Sequence, residues 1–289
     1  MEASTGSTLV APKPTLAART LADEAIAAAG ITMVDAAEPS AAHRAADVLS
    51  AVWSPHGTQI IDPAMLVAIA HAGNLVTVAL QDGKPVGAAA GFCGPPGAPF
   101  HSHIVGLVET ATGRGLGRAI KLYQRAWCLE HGIDTMTWTY DPLVARNAFF
   151  NLRRLGARAV SYYPEFYGVM TDVINAGQRS DRMFVRWDLS ATPPMPDAAD
   201  PALQLDDAHV VVAHVEGEPP SLSPPDAATS VALVGVPPDI ESIRRNDPEL
   251  GQRWRQVTGD ALGGLLADGW TVADFTRSRQ YVLHRERPS

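Results

Sequence analysis

Glu109-Thr-Ala-Thr-Gly113-Arg-Gly115-Leu-Gly117-Arg118-Ala-Ile120 is the stretch on which the reading of this chain turns. An apolar segment precedes it, Ile104-Val-Gly-Leu-Val108, the body of a strand expected over His101 to Glu109. A helix is expected after it, with Leu116, Ile120, Tyr123 and Trp127 on one face at i, i+4, i+7 and i+11. Between them Gly113, Gly115 and Gly117 alternate, which lets the backbone turn tightly and approach a ligand closely. The helix start adds unbonded N–H groups and the positive end of a dipole, and Arg114 and Arg118 add full charges. Strand, glycine loop and basic helix start together make a seat for a pyrophosphate. Two common phosphate loops are excluded. The dinucleotide fingerprint G-x-G-x-x-G lacks its last glycine, since Ile120 stands there, and Gly117-Arg118-Ala119 does not supply the G-K-[ST] of a P-loop.

The flanking sequence narrows the choice. Thr135-Met-Thr-Trp-Thr-Tyr140 reads as a strand, then Asp141-Pro142, then a helix carrying Arg146-Asn147-Ala-Phe-Phe-Asn151-Leu152-Arg153-Arg154-Leu-Gly156-Ala157. Together with the glycine loop this resembles the GNAT superfamily of acyl-CoA-dependent N-acyltransferases. Its loop signature is [RQ]-x-x-G-x-[GA], followed by an Asn-bearing helix ending in K/R-x-G-F. The resemblance is to the bacterial branch with an H-S-H strand and a T-W-T-[YF]-D-P-L segment, and it spans residues 31–190. Three positions depart from the pattern. Thr112 stands where Arg or Gln usually opens the loop, Ala157 where Phe follows the glycine, and Leu152 where many members carry a tyrosine that protonates the leaving thiolate.

The 289 residues, 46% of them hydrophobic, suffice for a sizeable core and a second unit. The net charge of −8, without a long basic run, argues against nucleic acid as a partner. Against that acidic background Arg114, Arg118, Arg146, Arg153 and Arg154 concentrate positive charge in the loop and the Asn-bearing helix. Cys93 and Cys128 imply neither a disulfide framework nor a metal site. No signal-peptide pattern opens the sequence and no apolar run is long enough to span a membrane. A cytoplasmic protein with no membrane partner, monomeric or homodimeric, is expected.

Residues 1–14 read as a disordered N-terminus, 15–189 as the main domain, 190–207 as a linker, and 208–289 as a smaller α/β unit packed on the first. Helices are expected over Thr15–Ala29, Pro39–Trp53 and Pro63–Ala72. Strands are expected over Ile31–Val34, Asn74–Leu80 and Pro85–Phe92, the last two joined by an Asp82-Gly83 hairpin turn. In the C-terminal unit, strands are expected over His209–His214, Val231–Val236, Trp270–Phe275 and Gln280–His284. Asp247-Pro248 reads as cap and first residue of a helix bearing Leu250, Trp254, Val257, Ala261 and Leu265. The whole is expected as an α/β protein with a mixed sheet: a GNAT fold followed by a degenerate half-copy of its core, without a second glycine loop.

Acyl transfer to an amine needs a polarised thioester carbonyl, a base for the amine and a stabilised leaving thiolate. The resemblance implies a carbonyl-polarising backbone N–H at Leu107, Val108 or Glu109. It further implies pyrophosphate contacts over Thr112, Gly113, Arg114, Gly115, Leu116, Gly117 and Arg118, and a pantetheine contact at Asn147. For the base, His101 and His103 share one strand face and have a pKa suited to neutral pH. The alternative is a pair of structural histidines, and a metal reading lacks a third ligand at suitable spacing. Glu109 could orient a water or the amine. With Leu152 in place of the usual acid, Tyr140 is the first substitute and Tyr123 the second. Asp141 is expected to cap the helix or bind a substrate ammonium. The reaction implied is transfer of an acetyl or other short acyl group from acyl-CoA to a small amine or amino acid, with no metal. The arginines leave room for a dicarboxylic acyl donor. The alternatives are a non-catalytic acyl-CoA-binding or regulatory module, and a thioester hydrolase or decarboxylase.

Overall fold

The computed structural model describes residues 14–53, 59–168, 179–195, 205, 207–215 and 218–285. The N-terminal stretch 1–13 and most of the expected linker lie outside them. The described residues form two compact units. The first holds 14–52, 61–100 and 104–135; the second holds 53, 59–60, 101–103 and those from 136 onward. The division therefore falls after Thr135, and the C-terminal segment shares a unit with the strand and helix that follow.

In the first unit, helix α1 (Pro14–Ala28) stops at Gly30, whose φ of 64° is the left-handed end that glycine tolerates. Strand β1 (Thr32–Asp35), helices α2 (Pro39–Trp53) and α3 (Pro63–His71), and strands β2 (Val76–Gln81) and β3 (Lys84–Cys93) follow. Asp62 caps α3 by accepting from the Ala64 amide at 2.8 Å. At the β2–β3 turn Asp82 and Gly83 both have positive φ, 50° and 76°, as a two-residue hairpin of this twist requires. Next come β4 (Phe100–Leu107) and α4 (Leu116–Glu130). Helix α1 is tied to α4 by Arg19, which forks onto Glu130 at 2.8 and 2.7 Å and lies over the Tyr123 ring. Beneath them Ala79, Ala89, Leu116, Ala119 and Ile120 form a buried apolar cluster. Gly87 of β3 makes room there, because a Cβ would sit 2.8 Å from Leu107 Cδ2 and 3.1 Å from Ile120 Cδ1.

Strand β5 (Thr135–Tyr140) falls in the second unit from Met136 onward. A short helix α5 (Ala145–Ala148) then widens into a π-helical turn over Phe149–Arg154, followed by β6 (Arg158–Tyr163) and β7 (Arg182–Asp188). The larger sheet has seven strands in the order β1-β2-β3-β4-β5-β7-β6. A four-stranded sheet, β10-β11-β9-β8, is built from β8 (His209–Val212), β9 (Val231–Gly235), β10 (Thr271–Phe275) and β11 (Gln280–His284). Only β8 and β9 pair in parallel within it. Helices α6 (Ile240–Asn246) and α7 (Pro248–Ala267) join β9 to β10, capped by Asp239 and Asp247 through the amides of Ser242 and Leu250. The α/β mixed-sheet class is the expected one. The C-terminal order differs from a simple strand–helix–strand–strand copy by the additional helix α6.

Candidate functional site

The expected strand ends two residues early. Val108 and Glu109 leave it, and Glu109–Ala111 closes a 3₁₀ turn in which the Glu109 carbonyl accepts from both the Thr112 amide at 3.1 Å and its hydroxyl at 2.8 Å. Thr112 thus fastens the loop where the superfamily pattern places a charged or amide side chain. Glu109 is exposed on this turn rather than on the strand. The Val108 amide donates to Val86 O at 3.0 Å and is not open to a thioester carbonyl. Of the three amides expected to polarise that carbonyl, this leaves those of Leu107 and Glu109.

Beyond Thr112 the backbone takes positive φ twice, 77° at Gly113 and 83° at Gly115. A Cβ at either would meet nothing within 4 Å, so glycine is required by conformation and the space beside it is open. Gly115 caps α4 and, having no side chain, makes no capping hydrogen bond to the first turn. Arg114 between the two glycines is exposed and Arg118 in the first turn is half-buried. Leu116 is buried in the apolar cluster and anchors the turn. Gly117 has helical backbone; its role in the expected reading is to keep the first turn bare.

His101 and His103 lie on the same face of β4, with ring centroids 6.2 Å apart. His101 is half-buried, its Nδ1 3.3 Å from the Thr137 hydroxyl of β5. Although the His103 side chain reaches solvent, desolvation by its surroundings lowers its pKa from the ordinary 6.5. Desolvation thus favours its neutral form, the one able to accept a proton. No group of three or more His, Cys, Asp or Glu among the described residues is placed to hold a metal ion.

Tyr140 is in a place that does not suit the role of acid. It is 5% exposed, and its hydroxyl lies 3.3 Å from that of the fully buried Tyr281, which donates to Pro142 O at 2.8 Å. Burial pushes its pKa well up, and it is part of a closed tyrosine pair. Tyr123 is also engaged, donating to Asp35 at 2.8 Å. Asp141 does not cap α5, whose cap position is Val144. Its carboxylate accepts from the Leu143 amide ahead of the helix at 3.0 Å, and from Arg244 at 2.8 Å and Arg255 at 2.9 and 2.7 Å. Burial would raise the Asp141 pKa, but the two guanidiniums outweigh it and hold the carboxyl well below the usual range.

Asn147 lies half-buried in the first turn of α5. The second asparagine of the motif has a different duty: Asn151 is buried and accepts from Trp138 Nε1 at 3.1 Å. Arg146 forks onto Glu241 at 2.7 Å twice, and Arg153 donates to Asp274 at 3.0 Å. The sequence reading missed these partners and those of Asp141; the only signal was arginine and acid content in the C-terminal segment. Away from the glycine loop, a shallow cavity of about 230 Å³ is lined by Asp35, Asn74, Trp127 and His131 among others, and none of the candidate catalytic residues lines it.

No helix among the described residues is long and apolar enough to cross a membrane. No protein-family model and no curated protein matches the chain. Solved structures do. The chain is similar to a GNAT superfamily phosphinothricin acetyltransferase from Sinorhizobium meliloti in complex with acetyl-CoA, at 17% identity and a TM-score of 0.46, over 58% of this chain and 95% of that one. It is similar to the ribosomal-protein-S18-alanine N-acetyltransferase from Escherichia coli, at 13% identity and a TM-score of 0.44, over 59% and 99%. An N-acetyltransferase from Staphylococcus aureus Mu50 matches at 11% identity and a TM-score of 0.43, over 55% and 98%. Of these three solved structures, the one from Sinorhizobium meliloti is described as a GNAT superfamily protein.

Proposed function

We propose that this chain is a cytoplasmic N-acyltransferase that moves an acetyl or other short acyl group from acyl-CoA to the amine of a small molecule or amino acid. The observation that carries this reading is the loop before α4. Two left-handed glycines, a helix start whose cap makes no side-chain hydrogen bond, and the charges of Arg114 and Arg118 are the features that a diphosphate seat requires, and they support this reading. In this reading the amides of Gly113 to Arg118 hold the pyrophosphate, the amide of Leu107 or Glu109 polarises the thioester carbonyl, and Asn147 bonds the pantetheine arm. His101 or His103 takes the amine proton. The nitrogen attacks the carbonyl, its oxyanion is held by the backbone amide, and the intermediate collapses with release of the thiolate. Thiol release from acetyl-CoA, followed with a panel of amines and amino acids, tests this. Release that requires an amine supports it. Release without an amine identifies a hydrolase, and tight CoA binding with no release identifies a binding module.

A further inference from the structure

The second unit holds a charge arrangement that acyl transfer does not use. Arg244 and Arg255 are 2% and 3% exposed, yet they share a single carboxylate, Asp141. Both guanidiniums meet at its Oδ2, Arg244 through Nη2 at 2.8 Å and Arg255 through Nη2 at 2.7 Å. Two buried guanidiniums thus share one bonded carboxylate, with the buried Arg182 also acting on Asp141 and the buried Asp181 on Arg255. The remaining donors of Arg244 and Arg255 are not satisfied. Nε and Nη1 of Arg244, Nε of Arg255 and the hydroxyl of Thr258, one turn along α7, have no hydrogen-bond partner among the described residues. The other buried carboxylate nearby, Asp181, is taken up by the Tyr162 hydroxyl at 2.6 Å, the Glu165 amide at 3.1 Å and Arg179 at 3.1 Å. Buried guanidiniums with idle N–H groups are among the costliest features a fold can carry. A monoanion with oxygen acceptors gives those groups a partner. Guanidinium N–H groups and a hydroxyl are the donors that a carboxylate takes. Asp141, with its side chain 10% exposed, is where this cluster meets solvent.

We propose that Arg244, Arg255 and Thr258 form a subsite for a small carboxylate, which bonds the donors that Asp141 leaves idle. The carboxylate has two possible sources, an acyl acceptor of the amino-acid class or a free carboxylate held as a structural counter-ion. The subsite itself does not rest on the proposed acyl transfer.

The test is a titration of the full-length protein with sodium acetate, at constant ionic strength set by a bulky sulfonate buffer. Acetate should raise the melting temperature saturably, by about 3–5 °C at tenfold excess over its dissociation constant. Line broadening of [1-13C]acetate should show one site per chain. Arg244→Met, which leaves the Arg255–Asp141 pair, and the isosteric Thr258→Val should each weaken acetate at least tenfold. No saturable acetate effect in the wild type, or an unchanged effect in both variants, overturns the proposal. With an amino-acid acceptor in hand, competitive inhibition by acetate assigns the carboxylate to the acceptor, and non-competitive behaviour assigns it to a structural ion. Absence of any acyl transfer would sink the enzymatic reading and leave the acetate result standing.

Discussion

Arg255 grips Asp141 by both carboxylate oxygens, across 114 positions of sequence. The grip has a defined energetic consequence. Asp141→Asn leaves two buried guanidiniums without the carboxylate they are bonded to and should cost about 3–5 kcal/mol, read from the urea midpoint. An unchanged midpoint would show that the arginines are not buried as described. The sign with pH also follows. The folded-state pKa of Asp141 is depressed, so its stabilisation is complete above the unfolded value of 3.8 and is lost as pH falls below it.

Gly117→Glu tests the cofactor seat. A carboxylate in the first turn suits a helix dipole, so the fold should survive. The same carboxylate would repel a diphosphate. Calorimetry should show loss of CoA binding with an unaltered melting temperature; unchanged CoA affinity would refute the loop's assignment.

His101→Ala and His103→Ala separate the two candidate bases. The variant lacking the base should lose ~10²–10⁴ in turnover with little change in acyl-CoA affinity. Because desolvation holds His103 below 6.5, activity that depends on it should persist to pH values below 6.5 and fall only under more acid conditions. Full activity in both variants would move the role to Glu109.

Lys121 is a second pH-sensitive group. It is 4% exposed in α4, and desolvation pushes its pKa from 10.5 down to about 7. The unfolded chain therefore holds the proton over pH 7 to 10.5 while the folded chain has lost it. Stability should rise with pH across that window by a few kcal/mol at most. Lys121→Met should flatten this rise; a wild type that does not stabilise between pH 7 and 10 would contradict the burial.

Two glycines of α7 give opposite expectations for the same change. A Cβ at Gly259 would lie 3.0 Å from the Tyr162 hydroxyl and 3.2 Å from Asp181 Oδ2, whereas one at Gly264 meets nothing within 4 Å. Gly259→Ala should destabilise by about 1–2 kcal/mol, the crowding outweighing the better helix propensity. Gly264→Ala should stabilise by up to about 1 kcal/mol. Melting curves of the two variants check the contrast.

Local chemistry was legible in the sequence. The limits of α2 and β5, the Asp82-Gly83 turn and the Asp247 cap stand where the residues put them, because each depends on neighbours a few positions away. The glycine loop was legible for the same reason. The strand end at Glu109 was not, since the Thr112 hydroxyl and amide compete for its carbonyl and draw the chain into a 3₁₀ turn. Helix α4 shows a second limit. Periodicity marks Tyr123 and Trp127 as its buried face, yet both are only half-buried, while Lys121, Gln124 and Arg125 are inside. A count of apolar residues cannot see a polar stripe that burial has claimed. The surroundings of Tyr140 and Asp141 were not legible, because their partners Tyr281, Arg244 and Arg255 lie more than a hundred residues downstream.

That distance has a meaning for the chain as it is made. At roughly 5–20 residues per second, a ribosome that has just added Asp141 needs on the order of ten seconds to reach Arg255. The residues of the first unit, which end at Thr135, have by then long been synthesised. The nascent second unit must hold a carboxylate in water, beside a strand and a π-helical turn, until its counter-charges emerge. Completion of that ion pair is therefore timed by translation, and a ribosome stalled between Asp141 and Arg244 would present an unfinished fold to the cell's chaperones and proteases.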